Sequence, residues 1–424
     1  MLKQVKKRLY FPIAHYFRFF AQIQLAIWKP RVVVVTGSSG KTTLLHLIES
    51  QLKGQARYSH HANSTYGIPF DILGLKRSEF VINEWPYLFL TAPLKAFKKP
   101  YKENIYIVEA DCDRPGEGKF LSSLLKPEIT LWLSSSATHS VNFDKLVTNK
   151  KFSAVEKAIA HEYAYFLEHT TALAIANGDC KLITGQLKRS KAILDIITKE
   201  KGLDSYKITK ESTEFKIDKK CYLFNELLPE ETFCSIAMIN ALLTYLKIKP
   251  DYSFSRFHLP PGRGSLFKGI NNTTIIDSSY NATPNGMAVT LKMFGLYPAK
   301  IKWAVLGDML EQGAKEQEEH EKLAELITPL KLSRIILMGP RVSKYTYPKL
   351  KPLIKSSCII EKFLLPKEAL DYILANIQGG EAILFKGARF LEGVIEQLLL
   401  NKSDIKNLCR REKIWQIRRT KWGL

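Results

Sequence analysis

Paired cysteines are missing from this chain of 424 residues: its six (Cys112, Cys180, Cys221, Cys234, Cys358, Cys409) are scattered, without a C-x-x-C. That argues against a disulfide framework or a cysteine zinc site and fits a reducing, cytoplasmic setting. Short internal repeats and low-complexity tracts are absent too, and a 46% hydrophobic, 25% charged composition is that of an ordinary globular protein. Long apolar runs are also lacking. In the first thirty residues Pro12, His15, Arg18, Gln22 and Gln24 interrupt the aromatic stretch, so it reads neither as a secretory signal nor as a membrane span. Acidic residues are scarce, 41 against 63 basic ones, for a net charge of +22. A charge of that size calls for an anionic partner: a nucleotide, a phosphorylated substrate, a membrane surface or nucleic acid.

What is present begins with VVVVTGSSGKTT, Val32 to Thr43. Val32–Val35 reads as a short buried parallel strand. Gly37 and Gly40 let the next turn aim backbone N–H groups, including those of Ser38, Ser39 and Thr43, into a concavity. Helical periodicity over Lys41–Leu52 then places a helix N-terminus where an anion is favoured. Lys41 would reach the β- and γ-phosphates of ATP, and Thr42 would offer its hydroxyl to Mg²⁺. The loop is shorter than the usual G-x-x-x-x-G-K-[ST], because Val35 stands where that pattern has its first glycine. On this reading Lys41 is an exposed loop residue that adds little to the core.

Strands and helices alternate along the rest of the chain, as in a parallel α/β protein. NIYIVEAD (104–111), EITLWLSSS (128–136) and TTALAIANGD (170–179) read as core strands. HLPPGRGS (258–265) is a Pro/Gly-rich break, and TTIIDSSYNATP, IKWAVLGDM, SRIILMG and EAILFKGAR after it suggest a second α/β domain. The expected organisation is a basic, aromatic helical segment over 1–30, a P-loop-type nucleotide domain over 31–261, a Rossmann-like domain over 262–401 and a basic tail over 402–424. The first segment is either an interfacial helix for an anionic membrane or a helix packed on the nucleotide domain. The tail reads either as a solvated helix or as a lipid or nucleic-acid contact. Glu109 ends a strand about seventy residues after the loop, where a carboxylate can hold Mg²⁺ directly or through water.

The order TGSSGKTT, NSTYGIPF, VEADCDRPGEGKF, SSATHSVNF, NGD, PPGRG, IIDSSYNATPNGM, VLGDMLEQG and FKGAR resembles the Mur ligase family over roughly Arg31 to Leu400. The short phosphate loop is that family's own form. DSSYNATP is most similar to the UDP-N-acetylmuramoyl-tripeptide–D-alanyl-D-alanine ligase branch. The resemblance implies an ATP-dependent ligase that activates a peptide or glycopeptide carboxylate as an acyl phosphate and joins it to an amino acid or dipeptide amine. It further implies Thr42 at a first Mg²⁺ and Glu109 with His139 at a second. Arg263 would contact ATP, with Asn240, Asp277 and Asn281 near the nucleotide. Asn63 would face the carboxylate substrate and Lys386 the incoming amine. His320 reads as structural.

Several positions depart from the family pattern. Ser278 replaces a second aspartate, Asp111 stands where glycine is usual, and Ile236 replaces a frequent histidine. The nucleotide domain starts near residue 31, so the family's N-terminal UDP-binding domain is expected to be absent, which opens the way to a lipid-linked substrate. The family's carbamylated lysine, counted back from Asn177, falls on His161, which implies a neutral nitrogen ligand and some tolerance for Mn²⁺; Glu156 or Glu162 is the alternative carboxylate. Two other classes stay open: a Mur-like nucleotide- or glycopeptide-binding protein without ligation, and a nucleic-acid-dependent ATPase. The last lacks helicase-like motifs and aromatic platforms.

Overall fold

A computed structural model describes residues 2–60, 62–76, 82–98, 101–388 and 390–424, without the side chains of 2–8 and 82. Lys3, Lys6, Lys7 and Arg8 therefore lie, as side chains, outside the described residues. The chain forms two compact units: residues 1–136, 145–201 and 234–250 make one, and 137–144, 202–233 and 251–424 the other.

The first unit is built on a parallel sheet of β1 (Arg31–Thr36), β2 (Ala56–Tyr58), β3 (Ile105–Ala110), β4 (Ile129–Trp132), β5 (Leu173–Asn177) and β6 (Ile193–Ile197). The spatial order is β2-β3-β1-β4-β5-β6. β1 is therefore central, and the chain changes direction across the sheet around it, which puts a crevice at the carboxyl ends of β1, β3 and β4. Val33, Val34 and Val35 are fully buried, which explains a strand that is apolar on both faces. The pairing Val35↔Glu109 brings the third strand's carboxylate level with the start of the phosphate loop.

Helix α1 (Leu2–Trp28) resolves the open alternative for the first segment. Ala14, Phe17 and Ala21, at helical spacing, are fully buried. Phe17 packs edge-on against Phe70 at 4.8 Å and tilted against Phe89 at 5.1 Å. Tyr10 donates to Glu117 at 2.6 Å and the Trp28 indole donates to the Glu103 carbonyl at 2.7 Å. Most aromatic residues of α1 thus pack onto the first unit, Phe17 and Trp28 within its core, while Phe19 stays exposed. No helix among the described residues is long and apolar enough to cross a membrane.

The second unit holds a six-stranded sheet of β10 (Ser265–Lys268), β11 (Thr274–Asp277), β12 (Ile301–Gly307), β13 (Arg334–Met338), β14 (Ile359–Phe363) and β15 (Glu381–Lys386). Their order is β10-β11-β15-β12-β13-β14, parallel except for β10. Apolar clusters around Phe294, Leu306 and Ile335, and around Trp303, Ile383 and Phe385, fill its two faces. An antiparallel meander of β7 (Leu203–Ile208), β8 (Thr213–Ile217) and β9 (Lys220–Phe224) belongs to the same unit, where Tyr297 donates to the Lys210 carbonyl at 3.0 Å. The tail is docked on this unit: Arg410 and Arg419 flank the fully buried Glu392 at 3.2 and 3.7 Å.

Packing of α1 has a measurable consequence. Phe17→Ala is expected to lower the unfolding free energy by roughly 3–5 kcal/mol in urea titrations, because the ring leaves a cavity in a full aromatic cluster. An unchanged midpoint would mean that α1 does not hold this packing in solution.

Candidate active site

The phosphate loop joins β1 to α2 (Lys41–Leu52). Gly37 and Gly40 take φ values of 132° and 82°, open to glycine at little cost. A Cβ at Gly37 would lie 2.6 Å from the Ser134 carbonyl oxygen, so the close approach of the residues after β4 also requires glycine. Those residues brace the loop: the Ser38 N–H donates to the Ser134 carbonyl at 3.1 Å, and the Ser39 N–H to Ser134 Oγ at 2.8 Å. Ser136 N–H donates to Ser38 Oγ at 2.9 Å. Thr43 follows in the first turn of α2, half-buried.

Lys41 is not exposed. Only 6% of it reaches solvent, and its Nζ donates to the Gly37 carbonyl at 2.5 Å and pairs with Asp111 at 2.8 Å. Burial works against its charge, but Asp111 and Glu109 outweigh burial and raise its pKa. The expectation of an exposed loop lysine is therefore corrected: the loop folds back over its own ammonium. Thr42 Oγ1 donates to Glu109 Oε2 at 3.0 Å. Two hard oxygen donors converge there, a set that suits Mg²⁺. Glu109 is fixed by its own backbone, whose N–H donates to Ser59 Oγ at 2.9 Å.

Asp111 was legible only as a departure from pattern, and it is central here. Its Oδ1 accepts the Tyr163 hydroxyl at 2.6 Å, and its N–H donates to the Asn63 carbonyl at 2.9 Å. NSTYGIPF is thereby tied to the same strand end. The helix Val155–His169 carries Tyr163 toward Asp111 and Glu162 toward Gly118, whose N–H donates to Glu162 Oε2 at 3.1 Å. His161 lies elsewhere. Its Nδ1 is 2.9 Å from the Arg189 guanidinium, its ring contacts Phe152 and Tyr165, and burial and then Arg189 lower its pKa. Among the described contacts it joins none of Lys41, Thr42 and Glu109.

In the second unit His139 takes a left-handed φ of 51°, and its Nδ1 lies 2.5 Å from Glu311 Oε2, in the segment VLGDMLEQG. Sequence reasoning quoted that segment but assigned Glu311 nothing. His320 is structural: its Nε2 accepts the Met309 N–H at 3.0 Å and its Nδ1 donates to the Glu316 carbonyl at 2.6 Å. Burial lowers its pKa.

At the carboxyl ends of β11 and β15 a second polar group assembles. Asp277 is fully buried; its Oδ1 accepts the Ser279 N–H at 2.9 Å, and its Oδ2 has no hydrogen-bond partner among the described residues. Burial pushes its carboxyl up, against those Ser279 hydrogen bonds. Lys386 Nζ donates to the Asn281 carbonyl at 2.7 Å. Burial and the Arg263 guanidinium push Lys386 down to about 8, with Asp277 opposing. Arg263 lies over the Tyr280 ring at 4.0 Å. Asn240, in the helix Thr232–Leu246, is half-buried, and its carbonyl accepts Thr244 Oγ1 at 2.8 Å. The Arg389 of FKGAR lies outside the described residues.

A family model described as Mur ligase, glutamate ligase domain, matches residues 262–389. The UDP-N-acetylmuramoyl-tripeptide–D-alanyl-D-alanine ligase of Bacillus subtilis is 23% identical over 379 residues, covering 87% of this chain and 76% of its own. The Rickettsia prowazekii ligase of that name is 24% identical, covering 85% and 76%. Residues 262–389 thus match a Mur ligase domain, and most of the chain is similar to these ligases at 23–24% identity. Its fold is that of the Thermotoga maritima MurF ligase solved in complex with ADP, with a TM-score of 0.71, 22% identity and coverage of 93% of this chain and 84% of that one. Escherichia coli FolC in complex with DHPP and ADP shares the fold at a TM-score of 0.57, with 14% identity over 88% of this chain and 89% of that one. The Mur ligase resemblance read from motif order thus extends over both units.

The buried Lys41–Asp111 pair makes the loop a stability element. Lys41→Ala is expected to abolish ATP turnover and to lower stability by about 3–5 kcal/mol, because Asp111 is left charged and buried. Lys41→Ala with Asp111→Ala should recover most of the lost melting temperature and none of the activity. A single variant as stable as the parent would contradict the pairing.

Proposed function

We propose that this chain is an ATP-dependent amide ligase of the Mur type. The observation that carries the reading is the convergence of Lys41, Thr42 and Glu109 at the mouth of the central strand. The terminal phosphoryl group of ATP passes to a carboxylate oxygen of a peptide or glycopeptide, which breaks its bond to ADP and forms an acyl phosphate. The amine of an amino acid or dipeptide then attacks the acyl carbon, phosphate leaves, and the amine proton is lost as the amide forms. Transfer between two anions needs cations held in place, and Lys41 and Arg263 supply them from this chain.

Mg²⁺ belongs to the same reading. Thr42 and Glu109 would hold it in the nucleotide unit, and it would neutralise phosphate charge; His139 would serve a second ion. The Ser38 and Ser39 N–H groups, expected to face the phosphates, are given to Ser134, so the cradle would be Lys41 with the N–H groups of Gly40 to Thr43. Asn240, Asp277 and Asn281 would be further nucleotide contacts, and Asn63 would face the carboxylate substrate. The nucleotide role is assigned to 31–261 and the amine side, with Lys386, to 262–401. The relatives are named for a muramoyl-tripeptide and a D-alanyl-D-alanine dipeptide, and substrates of that class, soluble or lipid-linked, are the proposal here. Peripheral association with an anionic membrane accompanies it, given the net charge of +22. A second reading, a nucleotide-binding relative without ligation, is favoured by one observation: Asp111 already occupies Lys41 with a carboxylate.

Phosphate release from ATP separates the two. The ligase reading requires release that depends on both a muramoyl-peptide carboxylate and an amine such as D-alanyl-D-alanine. An amino acid or dipeptide would be held at Lys386 through its own carboxylate. Because Lys386 carries its charge below about 8 and loses it above, the half-saturation of that substrate should rise between pH 7 and 9. Lys386→Arg should flatten that rise. ATP binding without release for any pair would leave the binding protein.

A further inference from the structure

Helix α3 (Gly67–Leu73) and helix α4 (Trp85–Ala96) follow the phosphate loop in the nucleotide unit. One face of α4, through Leu88, Ala92 and Ala96, is buried, and Tyr16 of α1 donates to the Phe89 carbonyl at 2.7 Å. The opposite face is apolar and open. Tyr87, Leu90, Leu94 and Phe97 are 60%, 75%, 71% and 70% exposed. Their spacing of three, four and three residues aligns them in one stripe along the helix and its first following residue. Isolated exposed leucines need no explanation, but four large side chains in register do.

Within the helix and the residues just after it the charge is of one sign, with Glu84 before them and Glu103 beyond as the flanking acids. From Trp85 to Lys102 the sequence contains no aspartate or glutamate, and Lys95, Lys98 and Lys102 are its described cations. Lys95 and Lys98 stand close enough that the Lys98 ammonium pulls the Lys95 pKa down. Two ammonium groups held together at the edge of an apolar face, without a nearby acid on that segment, complement an anionic surface. A protein partner would ordinarily be met with hydrogen-bonding groups or acids along such a helix. An interfacial bilayer contact needs only an apolar stripe, an aromatic residue at the headgroup level and lysines that reach outward.

We propose that the outer face of α4, Tyr87, Leu90, Leu94 and Phe97 with Lys95 and Lys98, docks on an anionic lipid bilayer. This gives the membrane association proposed above a surface and rests on that reading. It also moves the contact away from α1, whose aromatic face is used in the core. The nucleotide unit would then work at the membrane, where a lipid-linked carboxylate substrate would be presented.

The test is sedimentation of the full chain with unilamellar vesicles of phosphatidylglycerol and phosphatidylcholine, 3:7, beside pure phosphatidylcholine. The parent is expected to bind the anionic vesicles and to lose binding as salt rises, since clustered lysines act through screened attraction. Leu90→Glu with Leu94→Glu should reduce binding at least tenfold, with the circular dichroism and ATP turnover of the parent. Lys95→Glu with Lys98→Glu should do the same on anionic vesicles alone. If the parent binds and both double variants bind equally well, the α4 surface is wrong while membrane association stands. If the parent does not bind, both fall. A parent that dimerises without lipid, through a contact the leucine variant abolishes, would make this face a self-association surface and overturn the proposal.

Discussion

A buried ammonium at the end of a central strand governs the nucleotide unit. Lys41 sits 2.5 Å from the Gly37 carbonyl and 2.8 Å from Asp111. A charge so removed from water is tolerable only if its partners are fixed. The fixing comes from every neighbouring element: β1 and α2 hold the loop, the serines after β4 brace it, and Tyr163 holds Asp111. The same arrangement leaves Lys41 beside Glu109 and Thr42, where nucleotide phosphates are expected. On the proposed reading, a phosphate would have to displace Asp111 from Lys41 or share the ammonium with it.

The second unit meets a similar problem with the opposite outcome. Asp277 and Lys386 end adjacent strands of a buried sheet. Burial there is not fully compensated, so the carboxyl is pushed up and the ammonium down to about 8. Such groups change charge with modest changes in surroundings, which is how an enzyme arranges acid–base chemistry near neutral pH. The left-handed backbone at His139 and at Glu311 concentrates strain in two loops whose side chains meet.

Local features were legible in the sequence. The β1–loop–α2 unit follows from four β-branched residues, two glycines and a helical period, and its helix falls on Lys41–Leu52 as read. The strands around Glu109, Trp132, Ile175 and Ile383 were equally plain. Less visible was anything set by pairing distant segments. Asp111 looked like a missing glycine, because its partners Lys41 and Tyr163 lie 70 and 52 residues away in sequence and only the sheet and the helix Val155–His169 bring them together. The meander alternates, with Phe215, Ile217, Tyr222 and Phe224 buried, but its strands are only five or six residues long and each contains a lysine. The edge strand β14 has no buried residue to set a period. His161 was placed by counting. Two helical steps turn about 200°, which sets its ring toward Arg189 while Tyr163 faces Asp111. The first segment's aromatics fit either a bilayer or a core, and only their contacts decide between them.

The central claim is that the Lys41 crevice serves to activate a carboxylate. Positional oxygen exchange tests it most directly. With the carboxylate oxygens of the peptide substrate labelled with ¹⁸O, turnover with ATP and amine should deliver one labelled oxygen into each inorganic phosphate released, because the acyl–oxygen bond breaks when the amide forms. Phosphate that is released without label, at the same rate with or without amine, would mean that ATP is hydrolysed by water and that no acyl phosphate forms.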